Sequence, residues 1–239
     1  MDAQPAKMTE DVATSGLQDL EHPRREPLTR QRIVRAALHI MDDEGLEAVT
    51  MRRIGRELGV EAMSLYNHVA DKDDILDSIC EEVLADFRFP QVQEWAQATR
   101  AACHEYRRLL LAHPSVITVM TERKRPFTNP ESLRVYEFAL DLFRSAGLSQ
   151  TDTVKAFNAF GGYILGCVTR EISMMIGGTQ DPEHMRAHEE FARMIESSDL
   201  PHLREVLPYL IDCDVEEQFD FGLDLLIEGV RAQIATGAA

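Results

Sequence analysis

The stretch "RRIGRELGVEAMSLYNHVADKDDIL", residues 52–76, sets two glycines in helix-like sequence and then crowds Ser64, Tyr66, Asn67, His68 and Lys72 into nine positions. Just upstream, Thr50 offers a side-chain cap to a short helix on which Met51, Ile54 and Leu58 keep helical spacing, and Gly59 supplies a left-handed exit. Val60 starts a tight turn, and Ala62 to Val69 are expected to form a third helix with Leu65 and Val69 facing inward. Asp71 caps a fourth helix, Asp74 favours its positive end, and Ile75, Leu76, Ile79, Cys80, Val83, Leu84 and Phe87 give it a sustained apolar stripe. Two short helices across a glycine turn fit a helix-turn-helix, whose second helix enters the major groove of DNA while the first crosses the backbone.

Outward from this unit, residues 1–23 read as a flexible tail with few large apolar groups, closed by Arg24 and Arg25. Thr29 caps a first helix carrying Ile33, Val34, Ala37, Leu38 and Met41 on one face, and Gly45 ends it. Arg32 stands where a capping box would need Glu or Gln, so this start is singly capped. Past Pro90 the apolar spacing predicts helices at about 92–112, 115–122, 131–146, 150–176, 183–197, 202–211 and 215–235. No segment alternates as a strand would. The expected fold class is all-α: an N-terminal three-helix head at 24–75 joined to a larger helical part at 76–239.

The chain has 239 residues, 44% of them hydrophobic, enough for a sizeable core. It has no long uninterrupted apolar run, and its first 30 residues hold charges and prolines rather than a cleavable apolar leader, so a cytoplasmic protein is expected. Cys80, Cys103, Cys167 and Cys213 are far apart and form no CxxC pair, which predicts buried free thiols. The net charge of −16 argues against nucleic acid at face value. Its distribution reverses the inference: Arg24 to Lys72 holds nine Lys or Arg against eight Asp or Glu, a net of +1, leaving −17 for the remainder.

Helix pairs with a glycine turn occur in many bundles; the exposed chemistry is what favours DNA here. Ser64, Tyr66, Asn67 and His68 suit phosphate oxygens or base edges, and Arg52 and Lys72 place a cation at each end of the unit. Packing or solvation would explain any one of them, but not so easily all of them on one short unit. The pattern T-x-R-x-[IL]-x-x-x-L-G-V-x-x-x-[ST]-L-Y-x-H-V-x-x-K, Thr50 to Lys72, resembles the DNA-binding domain of the tetracycline repressor (TetR) family of bacterial transcription regulators. "AGLSQTDTVKAFNAFGGYILGCV", Ala146 to Val168, is similar to a helix of the tetracycline-repressor subgroup itself.

The resemblance implies a homodimeric, ligand-responsive repressor on a palindromic operator, with Arg52, Ala62 and Met63 near base edges and Thr50, Ser64, Tyr66, His68 and Lys72 near phosphates. Relatives often carry Gln where Ala62 stands; a methyl group can touch only a thymine methyl. It also implies a ligand-binding and dimerisation domain at 76–239. Pairing is expected through the helices at 150–176 and 215–235, using Gly161, Gly162 and Gly166 for close approach and Phe219, Leu223, Leu226, Ile227 and Val230 at bundle spacing.

Pocket candidates are Ala102, Tyr106, Leu110, Tyr136, Ala139, Leu140, Phe143, Phe157, Phe160, Ile164 and Met174, for each of which ordinary core is the plain alternative. The subgroup holds a magnesium-chelated drug through a histidine that "VITVMTERKRP" lacks, and Ala102 and Ala139 fall at two of its polar contacts, so no cofactor or metal and a largely apolar inducer are expected. "EHMRAHEE" puts His184 and His188 four residues apart, but no third ligand is evident and a solvated helix is the simpler reading. A helical binding or interaction protein without working DNA contacts is the alternative function. No Ser/His/Asp set, paired catalytic carboxylates or phosphate-cradling loop suggests an enzyme.

Overall fold

The computed structural model describes residues 27–122, 129–177, 182–211 and 214–237. Eleven α-helices follow one another among the described residues: α1 Arg30–Glu44, α2 Met51–Leu58, α3 Ala62–Leu65, α4 Lys72–Ala85, α5 Trp95–Ala112, α6 Pro114–Glu122, α7 Pro130–Ser145, α8 Gln150–Gly177, α9 Pro182–Glu196, α10 Pro201–Ile211 and α11 Val215–Gly237. A single 3-10 turn, Leu46–Ala48, lies between α1 and α2, and no strand occurs among the described residues.

Local chemistry sets the first boundaries. The Thr29 hydroxyl accepts the Arg32 N–H at 3.2 Å, the Thr50 hydroxyl accepts the Arg53 N–H at 3.1 Å, and the Asp71 carboxylate accepts the Asp74 N–H at 2.7 Å. Each supplies an acceptor for an N–H that the helix itself leaves orphaned. Gly59, at φ 66°, makes the left-handed exit of α2. The other glycine of the stretch acts by its lack of bulk: a side-chain carbon at Gly55 would stand 2.9 Å from the Val60 carbonyl oxygen and 3.2 Å from the Ala62 nitrogen. Only glycine lets α3 close onto α2 at this distance.

α3 is shorter than the spacing predicts. The α-helix stops at Leu65 and continues as a turn, closed by His68 N–H on the Leu65 carbonyl at 2.9 Å. The His68 carbonyl is taken instead by the Arg30 guanidinium at 3.3 Å, and the Ala70 N–H by the Asp74 carboxylate at 2.8 Å. The chain must leave the helix there to reach the Asp71 cap.

Two apolar clusters organise the molecule. The first joins α1 to α4, with Ile33, Ala37, Met41, Ile54, Leu65, Ile75 and Ile79 sealed from solvent, and extends to Leu109, Val116 and Val119 on α5 and α6. The second joins α5, α7, α8 and α11 around Cys103, Leu110, Phe143, Phe160, Val168 and Leu223. Arg107 of α5 ties α8 and α11 together beside the second cluster: its guanidinium meets the Glu171 carboxylate of α8 at 3.0 and 3.1 Å, reaches Glu216 of α11 at 2.5 Å, and lies 4.9 Å from the centre of the Phe219 ring. The division expected near residue 75 falls inside α4, which packs on α1 and on α7 alike.

Cys80 and Cys103 are buried free thiols; Cys167 is only half-buried, and Cys213 lies outside the described residues.

Candidate functional site

On the head, Leu65 anchors α3 in the core and turns the neighbouring side chains outward. Met63 is 73% exposed and Tyr66 48%; Asn67 and His68 are exposed, while Ala62, Ser64 and Lys72 are half-buried at the same edge. Thr50 is exposed even as it caps α2, leaving its hydroxyl proton available to an outside acceptor. The two adjacent arginines are used differently. Arg53 is tied to Glu44 at 2.5 Å and to Glu57 at 2.7 Å, whereas no hydrogen bond or ion pair among the described residues involves the exposed Arg52 side chain. Arg52, Met63 and Tyr66 therefore reach solvent from α2 and α3 without a competing partner inside the head.

The head is held to α4 by Arg30, which sequence reading missed. Its guanidinium bonds the Asp74 carboxylate at 2.8 Å, the Ser78 hydroxyl at 2.7 Å and the His68 carbonyl. The end of the recognition segment and the first turn of α4 are thus parts of one hydrogen-bonded unit. The signal for this was long-range: an arginine on α1 and an acid 44 positions later carry no shared periodicity.

At the other end of α4, Leu84 and Phe87 form part of the wall of a cavity of 290 Å³ between α4, α5, α7 and α8. Of the expected pocket residues, Ala102, Tyr106, Tyr136, Ala139, Phe143, Phe157, Phe160 and Ile164 line it. Leu110 and Leu140 do not: Leu110 is sealed in the second apolar cluster, and Leu140 stands beside Ala139 off the lining face. The Met174 side chain lies outside the described ones. None of the lining residues is ionised at neutral pH. Sequence reading missed Thr99, whose buried hydroxyl has no hydrogen-bond partner, and Asn158 at the rim.

The expected pairing residues of α11 face inward in the single chain. Phe219, Leu223, Ile227 and Val230 are buried inside this chain, and Leu226 packs against the same cluster, because that face of α11 is the one turned to α5 and α8. The opposite face carries Phe221, 64% exposed, and Leu225, 61% exposed. Gly161, Gly162 and Gly166 make no close approach within the chain, since nothing lies within 4 Å of where their side chains would begin. The intimate contact belongs to Gly222, against which the Tyr163 ring lies while its hydroxyl donates to the Phe219 carbonyl at 2.9 Å. Gly161 and Gly162 border the cavity, and Gly162 and Gly166 share a shallow groove with Phe221 and Gly222.

The side chains of His184 and His188 lie outside the described ones. A different trio, His104, Glu216 and Asp220, brings donor atoms within 4.8 Å of one another. Arg107 pairs with Glu216, and Arg100 and His104 contact Asp220 at 3.1 and 2.8 Å, so an ion there would have to displace contacts these carboxylates already make. No described helix is long and apolar enough to cross a membrane.

Residues 33–79 match the family model of bacterial regulatory proteins of the tetR family, and residues 89–234 match that of the tetracyclin repressor-like C-terminal domain. An HTH-type transcriptional regulator of Saccharopolyspora erythraea is 32% identical over 212 residues, 86% of this chain and 85% of that protein. The HTH-type transcriptional repressor DrrR1 of Streptomyces coeruleorubidus is 30% identical over 224 residues, 89% of this chain and 82% of its own. The Streptomyces coelicolor TetR family protein ActR, solved in complex with actinorhodin, superimposes with a TM-score of 0.77 at 27% identity, covering 87% of this chain and 97% of that one. A helix-turn-helix head on a cavity-bearing helical body, matched from residue 33 to residue 234, places this chain in the TetR family of DNA-binding bacterial transcription regulators.

Proposed function

We propose that two copies of this chain bind a palindromic operator and repress transcription until a small, uncharged, largely apolar molecule fills the cavity and releases the DNA. The carrying observation is the span of α4. Its first turn is bonded to the recognition segment through Arg30 and Asp74, and its last residues lead into Leu84 and Phe87 on the cavity wall. Occupancy at one end is mechanically tied to the position of the head at the other. A ligand can release the operator only through its differential affinity for the two positions of α4, and the operator weakens the ligand by the same factor.

At the DNA, α3 lies in the major groove with Ala62 and Met63 at base edges, where they favour thymine methyls, and Arg52 reaches a base edge from α2. Thr50, Ser64, Tyr66, Asn67, His68 and Lys72 hold phosphates and fix the register. A dimer reading one face of B-DNA needs half-sites roughly 34 to 36 Å apart, or multiples of that. The exposed face of α8 and α11, with Phe221, Leu225 and the open surface at Gly162 and Gly166, supplies the pairing surface. ActR with actinorhodin and the repressor DrrR1 support the same division of labour in proteins of this build.

An electrophoretic shift assay with the DNA upstream of the chain's own gene tests the reading. It predicts palindrome-dependent binding that weakens steeply with salt, lost in Tyr66→Ala and Lys72→Ala variants that still fold. Binding indifferent to palindrome and salt, or unchanged in both variants, contradicts it.

A further inference from the structure

The described thiols are withdrawn from solvent, and the most exposed described sulfur stands on the reading surface. Cys80 and Cys103 are buried and Cys167 is half-buried on α8; burial pushes the Cys103 thiol up to about 12, so it is no thiolate at neutral pH. Of the described methionines, Met41 is sealed in the core and Met51 and Met120 are half-buried, and the Met120 sulfur already receives the Tyr106 hydroxyl at 3.9 Å. Met194, 58% exposed, lies on α9 in the body. Met63, 73% exposed, is the second residue of α3. It stands between half-buried Ala62 and Ser64 and belongs to neither apolar cluster. A chemical change at its sulfur therefore alters the reading surface and leaves the core packing alone.

We propose that Met63 is an oxidation switch on the recognition helix: a peroxide converts its thioether to the sulfoxide, and the operator is released. The proposal rests on the reading of α3 as the helix that meets base edges, and it adds a chemical input separate from the cavity. A sulfur lone pair attacks one peroxide oxygen. The S–O bond forms as the O–O bond breaks, the sulfur gives up two electrons, and the departing hydroxide takes the proton of the transferred hydroxyl and leaves as water. An apolar side chain becomes a polar one with an acceptor oxygen. Against a thymine methyl that oxygen is desolvated without a partner, and against guanine N7 or O6 it meets another acceptor. Only the amino group of adenine or cytosine satisfies it, so the site that reduced Met63 reads is rejected by the oxidised form. Bound DNA covers the side chain, so the switch is thrown in the DNA-free protein.

The test treats the full chain with hydrogen peroxide, locates the added oxygen by peptide mass spectrometry, and measures affinity for the upstream DNA at one fixed salt concentration. Protein carrying the sulfoxide at Met63 is expected to bind at least about tenfold more weakly, the scale of a mismatched contact in each half-site, with thermal unfolding unchanged. Methionine sulfoxide reductase is expected to restore the affinity, which assigns the loss to a methionine rather than a thiol. Met63→Gln, which carries a polar acceptor without any oxidant, is expected to lose affinity in the same direction. Met63→Leu, whatever its own starting affinity, is expected to be indifferent to peroxide. Bound operator is expected to shield Met63 from oxidation and to leave Met194 open to it. Undiminished affinity with Met63 oxidised, a Met63 that stays reduced in the free protein while Met194 is oxidised, or an equal loss in peroxide-treated Met63→Leu overturns the switch and leaves operator binding standing. No palindrome-dependent binding before peroxide is added contradicts this proposal and the reading of α3 together.

Discussion

The reading head and the ligand cavity are built on opposite principles, although α4 belongs to both. In the head, glycine removes space: Gly55 lets α3 close on α2, and Arg30 binds a carbonyl, a carboxylate and a hydroxyl at once. In the body, four helices leave 290 Å³ unfilled, and one of their unsatisfied buried hydroxyls, that of Thr99, stands on its wall. DNA presents a fixed surface, so the residues that grip it gain from being held rigidly. A ligand site needs the reverse, an incompletely satisfied wall that a second molecule completes.

The contrast can be broken at the point where the body is tightest. Arg107→Ala removes the cation that Glu171 and Glu216 share and leaves the nearly buried Glu171 carboxylate without it. A loss of about 3 to 5 kcal/mol in unfolding free energy is expected in chemical denaturation, the largest effect of any change considered. A smaller loss would mean that water reaches this pair.

Arg30→Ala tests the rigidity of the head. Operator affinity is expected to fall by up to about fivefold, with ligand affinity and overall folding retained, because the bonds lost are partly exposed. An unchanged operator affinity would show that α3 keeps its position without the clamp.

The smallest effect separates a useful unpaired hydroxyl from a merely tolerated one. Thr153 also buries a hydroxyl without a partner, but it does not line the cavity. Thr153→Val is expected to raise stability by a few tenths to about 1 kcal/mol in thermal unfolding and to leave binding in the cavity unchanged, whereas Thr99→Val is expected to alter that binding as well.

The sequence made the head legible almost residue by residue, because caps, glycines and apolar spacing are local signals. Thr29, Thr50, Asp71 and Gly59 act as read. Its length was overread at α3, where the deciding interaction comes from Arg30, far back in the chain. In the body, helical spacing identified which residues are apolar but not which way each apolar stripe turns. On α11 the stripe of Phe219, Leu223, Ile227 and Val230 faces its own chain, and the exposed apolar pair is the offset Phe221 and Leu225. The aromatic part of the cavity wall was found because aromatic residues crowd α7 and α8. Thr99 was missed because an orphaned hydroxyl is a property of what fails to surround it, and no pattern in the chain records that.

The central claim is that α4 transmits cavity occupancy to the reading head, and the direct measurement is operator affinity with and without a saturating apolar ligand, first shown by calorimetry to bind the chain, in the wild type and in Phe87→Leu. For the wild type the account predicts a loss of about 5- to 150-fold on ligand addition. In Phe87→Leu, which pares back the side chain that follows α4 onto the cavity wall, both ligands should still bind while the coupling falls towards onefold. A wild-type operator affinity indifferent to the occupied cavity, or full coupling in Phe87→Leu, would contradict it.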